Sequence, residues 1–433
     1  MKSNHLLWRI LWLLTVVIGV SHSAAAQTTI KLTLKEAEET ALKNHPQVSA
    51  ALLAALAANQ VPTEINAARY PTIVSNTTGA EAGDATRIAA GGLNNPSIFP
   101  RLATGFSVNQ LLLDFGRTGD LSASARLHAK AIEQTVEATR AQILLQVDRA
   151  YYLALRAQAV LKVAEQTVAA RQVAVEQADA LQKSGLKSGL DLSIANYNLA
   201  ESRLLLARSQ NEIKAAFAEL SAALGSREEQ AFDLADDGNA LGPLPAQVEA
   251  IAEALQKRPE LNALQFERDA AYRFLKAEQA SKRPTVSAVW SAGLVPFHDT
   301  RLGSHYNAAG FNVSIPIFNG GLFKARAAEA EYKAKATDQT LLDFGNRVTR
   351  DVRLAWLNAD TAYQRIGLAA QLLSRANEAL ALAEERYRLG LSSIVELSQS
   401  QLNVTIAELE NANSRYEYLI QRAVLSYQSG QLR

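Results

Sequence analysis

The chain has 433 residues, 44 Lys plus Arg against 43 Asp plus Glu, 48% apolar residues, 11 prolines, one Met and no Cys. That length accommodates two or three ordinary domains, and the balanced charge gives no sign of a nucleic-acid surface. The missing Cys excludes disulfides, thiolate metal sites, a Cys nucleophile and a lipidated N-terminal cysteine.

Residues 1–26 read as a presequence, with Lys2 and Arg9 ahead of an apolar core at 10–20 and the small residues Ala24-Ala25-Ala26 at its end. The mature chain is expected to begin near Gln27, where the net balance becomes 42 basic against 43 acidic residues. No later stretch is apolar enough to span a bilayer as a helix, which takes about 20 residues. An exported chain that crosses a membrane must then do so as strands.

The first half opens with a helix and a weakly alternating strand near 71–80, followed by a second strand near 103–113 around Phe106, Val108 and Leu112. Residues 101–242 contain no proline, and Ala, Leu, Glu, Gln, Lys and Arg dominate them, so very long helices are predicted at 117–183 and 188–224. A polar linker at 226–246 follows. The second half, 247–433, repeats the order: a helix, strands near 284–294 and 307–318, and helices at 322–388 and 393–430. In these strands Val286, Ala288, Trp290, Ala292 and Leu294, then Ala309, Phe311, Val313, Ile315 and Ile317, alternate with smaller or polar neighbours.

The order is a tandem duplication. Asn44-His45-Pro46 matches Lys257-Arg258-Pro259, and Tyr70-Pro71-Thr72 matches Arg283-Pro284-Thr285, both at an offset of 213. Beyond the first loop the offset is 205: Asp114-Phe115-Gly116 with Asn319-Gly320-Gly321, Tyr151 with Trp356, Gly185-Leu186 with Gly390-Leu391, and Asp191-Leu192-Ser193 with Glu396-Leu397-Ser398. The first repeat is therefore 27–225.

Lengths constrain what the parts can do. A 67-residue helix is about 100 Å long, far beyond a compact domain. Val352, Trp356, Ala359, Tyr363, Ile366, Ala370 and Leu373 recur at spacings of 4 and 3 and are expected to form a coiled-coil seam. Four amphipathic strands cannot close a barrel alone, since about eight are needed. Entry into a membrane thus requires oligomerisation, and parity alone does not choose between a dimer and a trimer.

At the turns between long helices, Asp191 and Glu396 hold the same repeat position, and a cyclic assembly would gather them into carboxylate rings that favour cations. The same acids read as helix caps, with Ser188-x-x-Asp191 and Ser393-x-x-Glu396 as capping boxes. Gly185, Leu186, Ser188 and Leu190, with Gly390, Leu391, Ser393 and Ile394, put small and apolar residues at both tips, a pattern that points to a partner surface. Trp290, Phe311, Val313 and Ile315 are expected to face lipid. The six histidines at 5, 22, 45, 128, 298 and 305 form no HExxH-like pair, and no GxSxG, Walker loop or dinucleotide fingerprint is present, so neither an enzyme nor a cofactor or metal site is expected. Tyr151, Tyr152, Trp356 and Tyr363 lie at helical spacing and read as packing.

Taken together, Asn44-His45-Pro46, the junctions Leu113-Asp114-Phe115-Gly116 and Ile317-Phe318-Asn319-Gly320-Gly321, and the tip segments 185–193 and 385–398 resemble the TolC family of outer-membrane efflux channels, its non-lipidated branch. The resemblance covers nearly the whole mature chain. It implies a mainly α fold with transmembrane β structure: a homotrimer whose twelve strands form one barrel in outer-membrane lipid, continuous with a coiled-coil tunnel through the periplasm. It implies a passive exit duct of a tripartite efflux or type I secretion system, joined by a periplasmic adaptor (a membrane fusion protein) to an inner-membrane RND, ABC or MFS transporter. The adaptor would dock at the tips, and Asp191, Glu396 and Ser392 would lie at the periplasmic gate. Some members latch that gate with an Arg near the second tip; here the position is Ser392. The equatorial belt should be slim, because the chain stops right after its last helix. A soluble coiled-coil adaptor or scaffold without a barrel is the competing reading, and it explains two hairpins and two strand pairs less well.

Overall fold

The computed structural model describes residues 30–81, 83, 100–228, 231–236, 241–300 and 303–432. The presequence at 1–26 and most of the segment between the strands expected near 71–80 and 103–113 lie outside the described residues. The elements in chain order are β1 (Ile30–Leu32), α1 (Leu34–Asn44), α2 (Pro46–Ala58), α3 (Val61–Ala67), β2 (Thr72–Ala80), β3 (Arg101–Leu113), α4 (Arg117–Lys183), α5 (Gly189–Ala223), β4 (Phe232–Leu234), α6 (Gln247–Lys257), α7 (Pro259–Ala280), β5 (Thr285–His298), β6 (His305–Ser314), α8 (Leu322–Arg388) and α9 (Ile394–Gln428).

The repeat is visible in the lengths: α4 and α8 have 67 residues each, α5 and α9 have 35 each. Pro46 and Pro259 both begin helices, where a missing N–H costs nothing. At the top of α4, Asp114 accepts from Gly116 N at 3.1 Å and Thr118 N at 2.6 Å, capping donors that the helix itself leaves unpaired. The helices lie side by side as α5, α4, α9, α8 toward the hairpin turns; α7 packs against α4 and α8 toward the strands, where α2 and α3 lie on α4.

The largest buried cluster lies midway. There the short parallel pair β1 and β4 rests on α4, with Leu32, Phe232 and Leu234 against Tyr151, Leu220 and Tyr418. The Tyr151 hydroxyl reaches Leu32 O at 2.9 Å and Ala235 O at 2.6 Å, and Trp356 Nε1 donates to Pro245 O at 2.8 Å. These aromatics fasten the chain termini of each repeat to the long helices, as packing groups do.

The expected seam needs a correction. Val352 and Ala359 are fully buried, but their partners are Ala355, Ala362, Ala369, Ala376 and Ala383, while Tyr363 is 37% exposed. Val352, Ala359, Ile366 and Leu373 keep their expected places, and only the alternate positions run one residue earlier, at Ala355, Ala362 and Ala369 in place of Trp356, Tyr363 and Ala370. Alanine lets the helices approach closely, and the bulky Trp356 and Tyr363 flank the contact.

At the other end, β2, β3, β5 and β6 form one antiparallel sheet in that order, leaving β2 and β6 as open edges within the chain. Register places Ile73 beside Val108 and Val108 beside Trp290, while Ala288 pairs with Phe311 and Val286 with Val313. These residues share one face. The opposite face carries Asn76, Ser107, Ser291, Asn312 and Ser314; Asn76 Nδ2 donates to Ser107 Oγ at 3.3 Å, and Ser107 stands beside Ser291 in the register. Two boundaries differ from expectation. β6 stops at Ser314 instead of 318, because Pro316 offers no N–H to the ladder, and Ile317 is left 94% exposed. Residues 295–298 and 305–306, beyond the strands expected near 284–294 and 307–318, extend the ladder, with Val295 N donating to Ser304 O at 2.7 Å.

Candidate functional site

Both long hairpins turn at the end far from the sheet, and both turns are built alike. Gly185 and Gly390 take φ +74, a left-handed conformation that an L side chain resists. Gly185 N donates to Gln182 O and Leu186 N to Leu181 O; Gly390 N donates to Tyr387 O and Leu391 N to Arg386 O. These are Schellman closures. Such a closure commonly packs its following apolar residue back on the helix, yet Leu186 is 72% and Leu391 66% exposed. Leu190, at 65%, extends the apolar surface, whereas Ile394 is half-buried between the hairpins.

The next helices are capped differently. Ser188 Oγ accepts from Asp191 N at 3.4 Å, and Asp191 Oδ2 accepts from Ser188 N at 3.1 Å, a complete capping box. Ser393 Oγ accepts from Glu396 N, but the return bond expected from the sequence is missing. The Glu396 carboxylate is turned instead to Arg386, whose Nε donates to Oε1 at 3.0 Å. Ser392 Oγ is buried without a partner, so this residue bridges nothing among the described residues.

Tyr387 and Lys187 were not singled out by sequence, and they join the two tips. The Tyr387 hydroxyl donates to the second oxygen of Asp191, Oδ1, at 3.2 Å, and the Lys187 ammonium stands 4.0 Å over the Tyr387 ring. Asn198 Nδ2 adds a bond to Ser398 Oγ at 2.9 Å, from α5 to α9. Hydrogen bonds from Ser188, with Tyr387 and Lys187 beside it, hold the Asp191 carboxyl below its usual range. Burial, then the Asp191 charge, push the Tyr387 phenol up to about 12. The pair is therefore a charge-assisted hydrogen bond whose two partners stay in the required protonation states across neutral pH. The signal available beforehand was an aromatic one helical turn before the second tip, with Gln182 at the matching place in the first repeat.

Comparison with known proteins follows this geometry. The family model described as outer membrane efflux protein matches residues 38–226 and 250–431, one stretch in each repeat. The outer membrane protein TolC of Salmonella enteritidis is 25% identical over 202 residues, 43% of this chain and 40% of that protein. The alignments with the first curated relatives thus span about two fifths of their length. OprJ of Pseudomonas aeruginosa is 24% identical over 87% of this chain and 79% of its own. Among solved structures, CusC superposes with a TM-score of 0.81 at 21% identity, covering 93% of both chains, and VceC of Vibrio cholerae with 0.77 at 18%, covering 92% and 96%. These neighbours share the fold of two long helical hairpins under a small sheet.

Proposed function

The chain belongs to the outer membrane efflux protein family, and on that premise we propose that it is a homotrimeric channel, the passive exit duct of a tripartite efflux or type I secretion assembly. One observation carries the reading: each chain presents a four-stranded sheet with both edges open, mounted on helices about 100 Å long. Open edges need partners. Three copies closing β6 of one onto β2 of the next supply twelve strands, and 13 or 14 residues in β3 and β5, tilted near 45°, reach about 30 Å, enough for an outer-membrane apolar band. The face bearing Trp290, Phe311 and Val313, with Ile315 just beyond the end of β6, then meets lipid, and the Asn and Ser face meets the channel. No helix among the described residues is long and apolar enough to cross a membrane, which leaves spanning to the strands.

In this reading the helical hairpins form a periplasmic tunnel and their tips its gate. Asp191 and Tyr387 hold the two hairpins of a protomer together, and the exposed Leu186, Leu190 and Leu391 with Gly185, Gly390, Ser188, Ser393 and Ile394 form the docking surface for a periplasmic adaptor. An inner-membrane transporter of the RND, ABC or MFS class supplies the energy. The duct itself performs no catalysis and needs no cofactor.

The absence of native cysteine makes the test direct. Single cysteines scanned along β2 at Val74 to Asn76 and along β6 at Ala308 to Gly310 should crosslink in pairs into trimers that fractionate with the outer membrane. Crosslinked dimers, or a soluble periplasmic monomer, would refute the assembly.

A further inference from the structure

The buried seam of α4 returns every seventh residue, at Ala150, Ala157, Ala164, Arg171 and Ala178; its repeat counterpart in α8 is Ala355, Ala362, Ala369, Ala376 and Ala383. One position breaks the pattern. Arg171 replaces the alanine that stands at 376, and at 7% exposure it is as enclosed as its neighbours in the seam. Partial removal of a guanidinium from water is unfavourable, and an anion beside it offsets that cost. Among the described residues Arg171 forms no ion pair. Its Nη1 donates to Gln401 on α9, a neutral partner, and Glu201 acts only at longer range, so burial lowers its pKa. Four of five guanidinium N–H donors remain to be used.

Arg171 borders a cavity of about 880 Å³ enclosed by α4, α5, α8, α9 and the first tip. Arg171 and Gln401 mark the end farthest from the tips; Lys187 and Tyr387 mark the near end. Fourteen residues of α4 separate Arg171 from Gly185, a length of about 21 Å. Between the ends Leu181, Leu186, Ile394 and Leu397 form an apolar strip, beside which stand the polar Gln177, Asn198 and Ser398 and the acids Glu384 and Glu385, the latter paired with Arg388. Arg388 at the wall is already served by Glu385, so Arg171 is the cation with donors to spare at the deep end. The volume falls within the range of small-molecule sites.

We propose that this cavity binds an amphipathic organic anion, whose carboxylate or sulfonate head accepts from the Arg171 guanidinium and whose chain lies along Leu181, Ile394 and Leu397. The planar fork of arginine matches such a head, and the apolar strip of Leu181, Ile394 and Leu397 leading away from it matches a chain. The site is independent of whether the tips gate a channel, since it rests on one protomer's helices alone.

The test uses the full-length assembly in amphipol, because alkyl detergents would compete. Isothermal titration with decanoate, 1-decanol and decyltrimethylammonium compares one chain length with three heads. Decanoate should bind once per protomer and more tightly than the other two. Arg171→Gln should weaken decanoate at least about tenfold and leave decanol unchanged, and Arg171→Lys should fall between. Arg171→Ala restores the alanine seam, so it should lose decanoate binding while melting no lower than the native assembly, which separates lost recognition from lost folding. Decanoate affinity that is the same in the native protein and Arg171→Gln, or decyltrimethylammonium bound as tightly as decanoate, would overturn the proposal.

Discussion

Tyr306 on β6 covers Gly293 on β5: a Cβ placed on that glycine would lie 2.5 Å from the ring's Cζ and 2.5 Å from its hydroxyl oxygen, and closer still to the backbone carbonyl oxygen of Thr104 on β3, a contact that removing the ring does not relieve. Gly105 on β3 is next in the same row, so one tyrosine fills the space of two missing side chains across three strands. Ring and glycine are two parts of one packing unit. Gly293→Val should therefore destabilise the assembly by about 1–3 kcal/mol through overpacking, seen as a lower temperature for dissociation of heat-resistant oligomers. Adding Tyr306→Ala should restore part of the loss, a coupling expected only for residues in contact. Additive losses in the double variant would show that the ring and the glycine act separately.

The Tyr387 bond to Asp191 joins the two tips of a protomer directly. Tyr387→Phe keeps the ring under Lys187 and removes one hydrogen bond to a carboxylate, worth about 1.5–3 kcal/mol. Single-channel recordings should show a larger open fraction, with oligomer stability unchanged. The pH dependence has a definite sign. Because the folded carboxyl titrates below its ordinary 3.8, the bond is present throughout neutral and mildly acidic pH and is lost only as pH falls through that lowered value. Opening that begins already near pH 6 would point to another group.

Asp148 on α4 titrates in the opposite direction. It is 4% exposed, one of its oxygens has no partner, and burial, then the charge of Glu38 on α1, push its pKa up to about 8. The unfolded chain releases this proton near 3.8, so the folded state loses stability as pH rises from about 4 to about 8. Asp148→Asn removes that loss. The variant should match the native protein near pH 4 and be more stable at pH 9, by on the order of a few kcal/mol. Parallel melting curves at the two pH values would mean the carboxyl does not carry a proton in the folded state.

Much of this fold was legible because its signals are long. Proline-free blocks, two repeats and period-2 strands are each many residues of agreement, and the resemblance to the family rested on their order. Half of the expected seam, Val352, Ala359, Ile366 and Leu373, keeps its place, and the other half lies one residue earlier because closeness of approach outweighs apolar size; the recurrence of Ala355, Ala362, Ala369, Ala376 and Ala383 at every seventh position is the signal in the sequence. The tips were only half legible. Glycine and serine at fixed offsets announce turns and caps, but which carboxylate caps and which pairs elsewhere depends on Arg386 and Tyr387, residues with no counterpart of their type at 181 and 182 in the first repeat. A pair across hairpins has no spacing of its own to read.

That asymmetry gives the two tip acids different weights. Asp191 caps its own helix and accepts from a neutral phenol, so its negative charge stays uncancelled except by Lys187 nearby; Glu396 shares its charge with Arg386 at 3.0 Å. Both groups of that pair are about half exposed, so the bond itself contributes little to stability. If the tips form the proposed gate, its effect on the field there is larger, because removing one partner changes the net charge. Arg386→Gln should leave assembly intact and raise cation preference and sensitivity to divalent-cation block, since three Glu396 carboxylates per trimer lose their counter-ions. Asp191→Asn with Glu396→Gln should shift both properties the other way, with the amides still able to accept at the caps. Reversal potentials in a salt gradient measure the first property and titration with a divalent cation the second. If neither variant moves them, the tip acids serve the helices alone and the aperture lies elsewhere.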